Sequence, residues 1–123
     1  MYHSANRASL KVLDLRNNSI SSLPADIKDF VNLQHLFLDN NQFTTFPQVA
    51  LKLAQLQALT VSFNRIEHLP RDIHRLTKLR ALHMHQNRIM EVPVSLSIMP
   101  HLEEIGIEWF TYLDGKDSPI ASK

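Results

Sequence analysis

Four prolines recur at intervals of 23 residues, at Pro24, Pro47, Pro70 and Pro93, and four asparagines keep the same interval at Asn18, Asn41, Asn64 and Asn87. A fixed period of this length marks a stacked repeat architecture. One such unit is too small to bury its own apolar face, so its neighbours must bury it. The chain therefore reads as an elongated array in which each unit contacts the next and one long surface is left for recognition.

The first unit is LKVLDLRNNSISSLPADIKDFVN, opening at Leu10; further units open at Leu33, Leu56 and Leu79, and a fifth at Leu102. Counting each opening leucine as slot 1, the apolar slots are 1, 4, 6, 11, 14, 18 and 21, and all four full units fill every one of them. Unit one does so with Leu10, Leu13, Leu15, Ile20, Leu23, Ile27 and Phe30. Apolar and polar residues alternate across slots 4 to 6, as in Leu13-Asp14-Leu15, which predicts a short half-buried strand. The asparagine at slot 9 turns the chain inward. Its amide has donors and an acceptor enough to satisfy backbone groups of its own turn and of a neighbouring one. Proline at slot 15 ends the extended segment and fixes φ. Asp26, Asp72 and Ser95 then stand where a helix N-cap belongs, which predicts short helical turns over 26–31, 49–54, 72–77 and 95–99.

The pattern LxxLxLxxNxL followed by a Leu-Pro step resembles the leucine-rich repeat. The 23-residue length is similar to the intracellular subclass found in Ras-suppressor, Scribble-type and plant intracellular Ras-group proteins. The resemblance covers residues 10–112. It implies an α/β fold: a right-handed solenoid with a parallel concave β-sheet and short helical or 3-10 turns on the convex side. It also implies a non-catalytic module that binds protein partners such as small GTPases, kinases or phosphatases.

Residues 1–9 read as an N-terminal edge segment or the remnant of a preceding repeat, with Arg7 at an apolar core slot. Residues 10–101 are the four repeats. Residues 102–113 are a degenerate fifth repeat, in which Phe110 replaces the asparagine and joins Trp109 and Tyr112 in a capping cluster. Residues 114–123 read as a flexible tail.

Side chains alternate along a strand, so slots 3, 5 and 7 leave the core and line the concave face, with slot 8 at its margin. The predicted protein-binding residues are His35, Phe37, Asp39, Thr60, Ser62, His83, His85, Glu108 and Trp109. Phe37 is the large apolar residue at a central slot, and Phe63 and Trp109 supply aromatic groups at the rim. A few aromatic anchors in a polar surround suit a protein partner. His83 and His85 form His-x-His on one strand face. They could ligate zinc together with a carboxylate. The competing expectation is a polar face on which His85 pairs with Glu108.

Composition narrows the remaining classes. The formal net charge is +1, which argues against polyanion or membrane-surface binding. Arg65, Arg71, Arg75, Lys78, Arg80 and Arg88 crowd units three and four but spread over several faces, as solvated residues do. There are no cysteines, whereas extracellular repeats of this kind usually carry disulfide-bonded caps. With no apolar signal core in residues 1–9, the expected setting is cytoplasmic. Gly106 and Gly115 are the only glycines, which excludes glycine-rich phosphate loops. The reading is a scaffold, adaptor or regulatory subunit in signalling. It needs no cofactor, nucleic acid, membrane or small-molecule substrate. The alternative is a structural subunit or targeting segment of a larger assembly, and a third reading is a metal-dependent enzyme at His83 and His85.

Overall fold

The computed structural model describes the backbone of residues 4–109 and the side chains of residues 7–107. Five strands, β1 (Val12–Asp14), β2 (His35–Phe37), β3 (Ala58–Thr60), β4 (Ala81–Ile89) and β5 (Glu104–Trp109), form one parallel sheet in chain order. The register pairs residues one period apart: Val12 lies beside His35, His35 beside Ala58, Ala58 beside Ala81, and Ala81 beside Glu104. Through slots 3 to 5, equal slots therefore stack in columns across the sheet; further along β4 the register shifts and Ile89 pairs with Trp109. The architecture is an α/β leucine-rich-repeat solenoid, open at its edges, with 3-10 turns between the strands.

The apolar slots form a continuous core. Leu33, Leu36, Leu38, Leu56, Leu59, Val61, Ile66, Leu79, Leu82 and Met84 are fully shielded from water. Leu10, Leu13, Leu15, Ile20 and Leu23 of unit one are only half-buried, because a full repeat packs them from one side. A short helix, α1 (Ser4–Ser9), precedes that unit. Arg7 donates to the Asp29 carboxylate at 2.9 Å and lies 3.6 Å from Asp26, and Asn32 donates to the Ala8 carbonyl at 2.6 Å. The cation at an apolar slot is thus accommodated by carboxylates of the next unit.

The 3-10 turns span Ala25–Asp29, Gln48–Lys52, Ile73–Arg75 and Val94–Ile98. Three of the four begin one residue earlier than the cap pattern predicts, and none has a side-chain cap. The proline opens the turn instead. Its carbonyl accepts from the N–H three residues on, in Ile27 to Pro24, Ala50 to Pro47, Ile73 to Pro70 and Leu96 to Pro93. Its preset φ, −68° at Pro24 and −66° at Pro93, suits that role. Asp26 and Ser95 fall inside their turns, and Ser95 Oγ donates to the Arg71 carbonyl of the preceding unit at 2.9 Å. Asp72 does occupy the cap position, without a capping bond from its side chain.

The asparagine ladder joins the units. Asn64 Nδ2 donates to the carbonyls of Val61 and Ser62 in its own turn and of Leu38 one unit back, at 3.0–3.1 Å. Its Oδ1 accepts from the Phe43 N–H at 3.0 Å. Asn41 and Asn87 repeat the arrangement, bonding Ile20 and Ile66 of the units before them. All three are buried. Asn18 is exposed and, among the described residues, bonds only the carbonyls of Leu15 and Arg16.

Candidate recognition surface

Slots 3 and 5 of each strand flank the inward-facing slot 4, as the alternation predicts, and slot 7 follows the strand in the first three units. The structure places their side chains unequally. Asp39 is half-buried and accepts twice, from Thr60 Oγ1 at 2.7 Å and from the Ser62 N–H at 2.7 Å. Ser62 is itself buried, and its hydroxyl accepts from the His85 N–H at 3.0 Å. At slot 7, therefore, a short polar side chain of one unit holds the backbone of the next. Ser62 offers a partner little surface, while Asp39 and Thr60 remain partly accessible.

Phe37 is more covered than its central slot suggests. The Arg16 guanidinium sits 5.1 Å from the centre of its ring, and the His35 ring lies 6.1 Å away. Arg16 is fixed there by a two-pronged bond to Asp14, from Nε to Oδ1 at 2.9 Å and from Nη2 to Oδ2 at 2.8 Å. The Asp14 carboxyl is held below the usual carboxylate range, first by the Arg16 side-chain hydrogen bond and then by the Arg16 N–H. A depressed carboxyl pKa means that the clamp is present at neutral pH and opens only as pH falls through that lowered value. A carboxyl carbon-13 titration of Asp14 should have its midpoint below that of blocked aspartate, and Arg16→Gln should bring it back up. Equal midpoints with and without Arg16 would remove the clamp from this account.

His83 and His85 both lie on the sheet face, with ring centres 6.0 Å apart. The expected pairing of His85 with Glu108 falls on a side chain outside the described residues; among those described, His83 Nε2 meets Glu104 Oε1 at 3.0 Å. His85 packs over Gly106, where a β-carbon would collide with its Nε2. The missing side chain at slot 5 of β5 is what gives the imidazole room. Among the described residues, no group of three or more His, Cys, Asp or Glu converges as metal ligands. The side chains of Glu108 and Trp109, and all of Phe110 and Tyr112, lie outside the described residues.

One feature that pattern reading missed is the backbone at slot 8. Asn17, Asn40, Phe63 and Gln86 all have positive φ, at 62°, 57°, 59° and 55°. Asparagine tolerates this left-handed conformation, and the pair Asn17 and Asn40 was the available signal. Asn40 Nδ2 donates to Asn17 Oδ1 at 2.8 Å, making a second, outer ladder. Phe63 interrupts it, and the residue is 58% exposed. Together with Arg16, Asn17, Asp39, Asn40, Thr60, Ser62 and His83, Phe63 lines an open depression of about 560 Å³.

The basic residues of units three and four are dispersed as expected of solvated groups. Arg75 lies 3.5 Å from Asp72, Arg80 lies 3.6 Å from Glu103, and Lys78 donates to Gln55 at 2.8 Å.

The comparisons agree with this geometry. The family model of the leucine-rich repeat region matches residues 2–117, and the chain belongs to that family. A solved leucine-rich-repeat protein of Leptospira interrogans is similar over 87% of this chain, at 31% identity and a TM-score of 0.76. The chain covers 32% of that protein's length. No curated protein matches the sequence. Proteins of this family and fold are commonly protein-interaction modules, and the family is typically non-catalytic. No helix among the described residues is long and apolar enough to cross a membrane.

Proposed function

We propose that this chain is a non-catalytic protein-recognition module that binds its partner on the concave face of the sheet. The observation that supports this most is the register. Pairing at one full period brings slots 3 and 5 of five strands onto one face, beside an open depression with an exposed aromatic ring. A rigid sheet with side chains fixed by Asp39, Ser62 and the Asp14–Arg16 clamp is preorganised, which lowers the entropy lost on binding. A role as scaffold, adaptor or regulatory subunit in the cytoplasm follows from the family resemblance. So do small GTPases, kinases or phosphatases as partner classes.

A photo-reactive residue placed at Thr60 should cross-link the partner, and the same residue placed at Lys52 on the convex turn should not. In the resulting complex, Phe37→Ala, which removes the ring under the Arg16 clamp, should weaken binding by more than about 1 kcal/mol with the fold intact. Lys52→Ala should change neither binding nor fold. Cross-linking from Lys52 and not from Thr60 would reverse the face assignment.

A further inference from the structure

The chain contains its own example of how its concave face holds a guanidinium. At the join of units one and two, Arg16 forks onto the Asp14 carboxylate and lies over the Phe37 ring. The parts of a second such arrangement occur one unit further on. Asp39 lines the depression as the carboxylate, and Phe63 lines it as the exposed ring. The two are close along the backbone, because Asp39 Oδ1 accepts from the N–H of Ser62, the residue before Phe63. What differs is the cation. Both Asp39 oxygens accept from neutral donors, and no guanidinium or ammonium group bonds them among the described residues. Arg16 is committed to Asp14 and reaches Asp39 only as a through-space attraction.

A second observation bears on Phe63 independently. Its φ of 59° is uncommon for a bulky residue, and units one and two put asparagine at that slot. Asparagine there also extends the outer amide ladder, as Asn40 does to Asn17. Phe63 gives up that bond, adopts an unfavourable backbone conformation and leaves its ring in water. A residue that costs the fold on all three counts is a candidate for a contact made outside the fold. The ring offers a π-face, the carboxylate spare lone pairs, and the Asn17–Asn40 pair further amide groups.

We propose that this depression is the subsite for an arginine side chain of the partner, with the guanidinium stacked on Phe63 and hydrogen-bonded to Asp39. Arginine fits better than lysine because its planar fork can stack on an aromatic ring and bond a carboxylate at the same time. The inference deepens the recognition reading and depends on the concave face being the binding face.

The test uses the whole chain, nitrogen-15 labelled, titrated separately with four blocked tripeptides: acetyl-Gly-X-Gly-amide with X as arginine, lysine, citrulline or glutamate. The arginine peptide should give saturable amide shifts at Asn40, Thr60, Ser62 and Phe63. Citrulline, with the same shape and no charge, should bind at least fivefold more weakly, and glutamate should give no saturable shift there. Phe63→Asn should abolish the arginine shifts while raising the melting temperature, an outcome a purely structural role for Phe63 does not produce. Asp39→Asn should weaken the arginine peptide towards the citrulline level. Citrulline or glutamate binding as tightly as arginine would overturn the inference, and so would an arginine peptide that leaves these amides unmoved. Lysine binding as tightly as arginine would overturn the stacked guanidinium. None of these outcomes touches the cross-linking test of the concave face, so the two readings fail separately.

Discussion

Asn64→Leu should lower stability by about 2–3 kcal/mol, whereas Asn18→Leu should cost less than about 1 kcal/mol. The two residues occupy the same slot and differ in their neighbours. Asn64 is buried between units, and its Oδ1 accepts from the buried Phe43 N–H. Leucine leaves that donor stranded, and a buried unsatisfied group bears its full desolvation penalty. The carbonyls lose less. Leu38 keeps the amide of Asn41, Val61 keeps the amide of Asn87, and Ser62 keeps the Asn40 N–H. Asn18 is exposed, and its replacement strands no buried donor among the described residues. Urea midpoints with unchanged slopes provide the measurement. Equal losses at the two positions would show that the ladder does not couple the units.

Phe43→Ala should cost still more, about 3–5 kcal/mol, the usual range for truncating a buried aromatic. Phe43 is 1% exposed and fills slot 11 of unit two, where units one, three and four carry isoleucine. Its loss opens a cavity in the middle of the array, and the flanking repeats cannot close it without breaking the strand register. Phe63→Ala provides the contrast. That ring is mostly in water, so its removal should leave the urea midpoint within about 0.5 kcal/mol of wild type, as for other surface substitutions. Comparable losses at Phe43 and Phe63 would contradict the division between core slot and surface slot.

The backbone plan was legible because it follows from periodicity. Leu36, Leu59 and Leu82 recur at one period, and the sheet register repeats that interval strand by strand. Asn64 was legible for the same reason: a buried amide at a fixed slot must find fixed partners. Details that depend on rotamers and diagonal neighbours were not. Slot columns do not show that His83 reaches diagonally to Glu104, or that His85 settles over Gly106. Phe37 looked like a bare anchor because nothing in a column shows Arg16 swinging across it from the unit before. Aspartate and serine after the proline looked like caps, but a single 3-10 turn opens on the proline carbonyl and leaves few donors to cap. The polar residues at slot 7 looked like recognition groups, and Ser62 turned out to hold its neighbour's backbone. A repeat pattern specifies what every unit shares; the binding chemistry lies in the positions where units differ, and those are set by contacts between particular side chains.

The most direct test of concave-face recognition is hydrogen–deuterium exchange of the chain with and without its cross-linked partner. Exchange should slow at the strands and the slot-8 turns, centred on residues 35–40 and 58–63, with the 3-10 turns at 25–29, 48–52 and 94–98 unchanged. Protection confined to those turns, with the strand face exchanging as in the free chain, would contradict it.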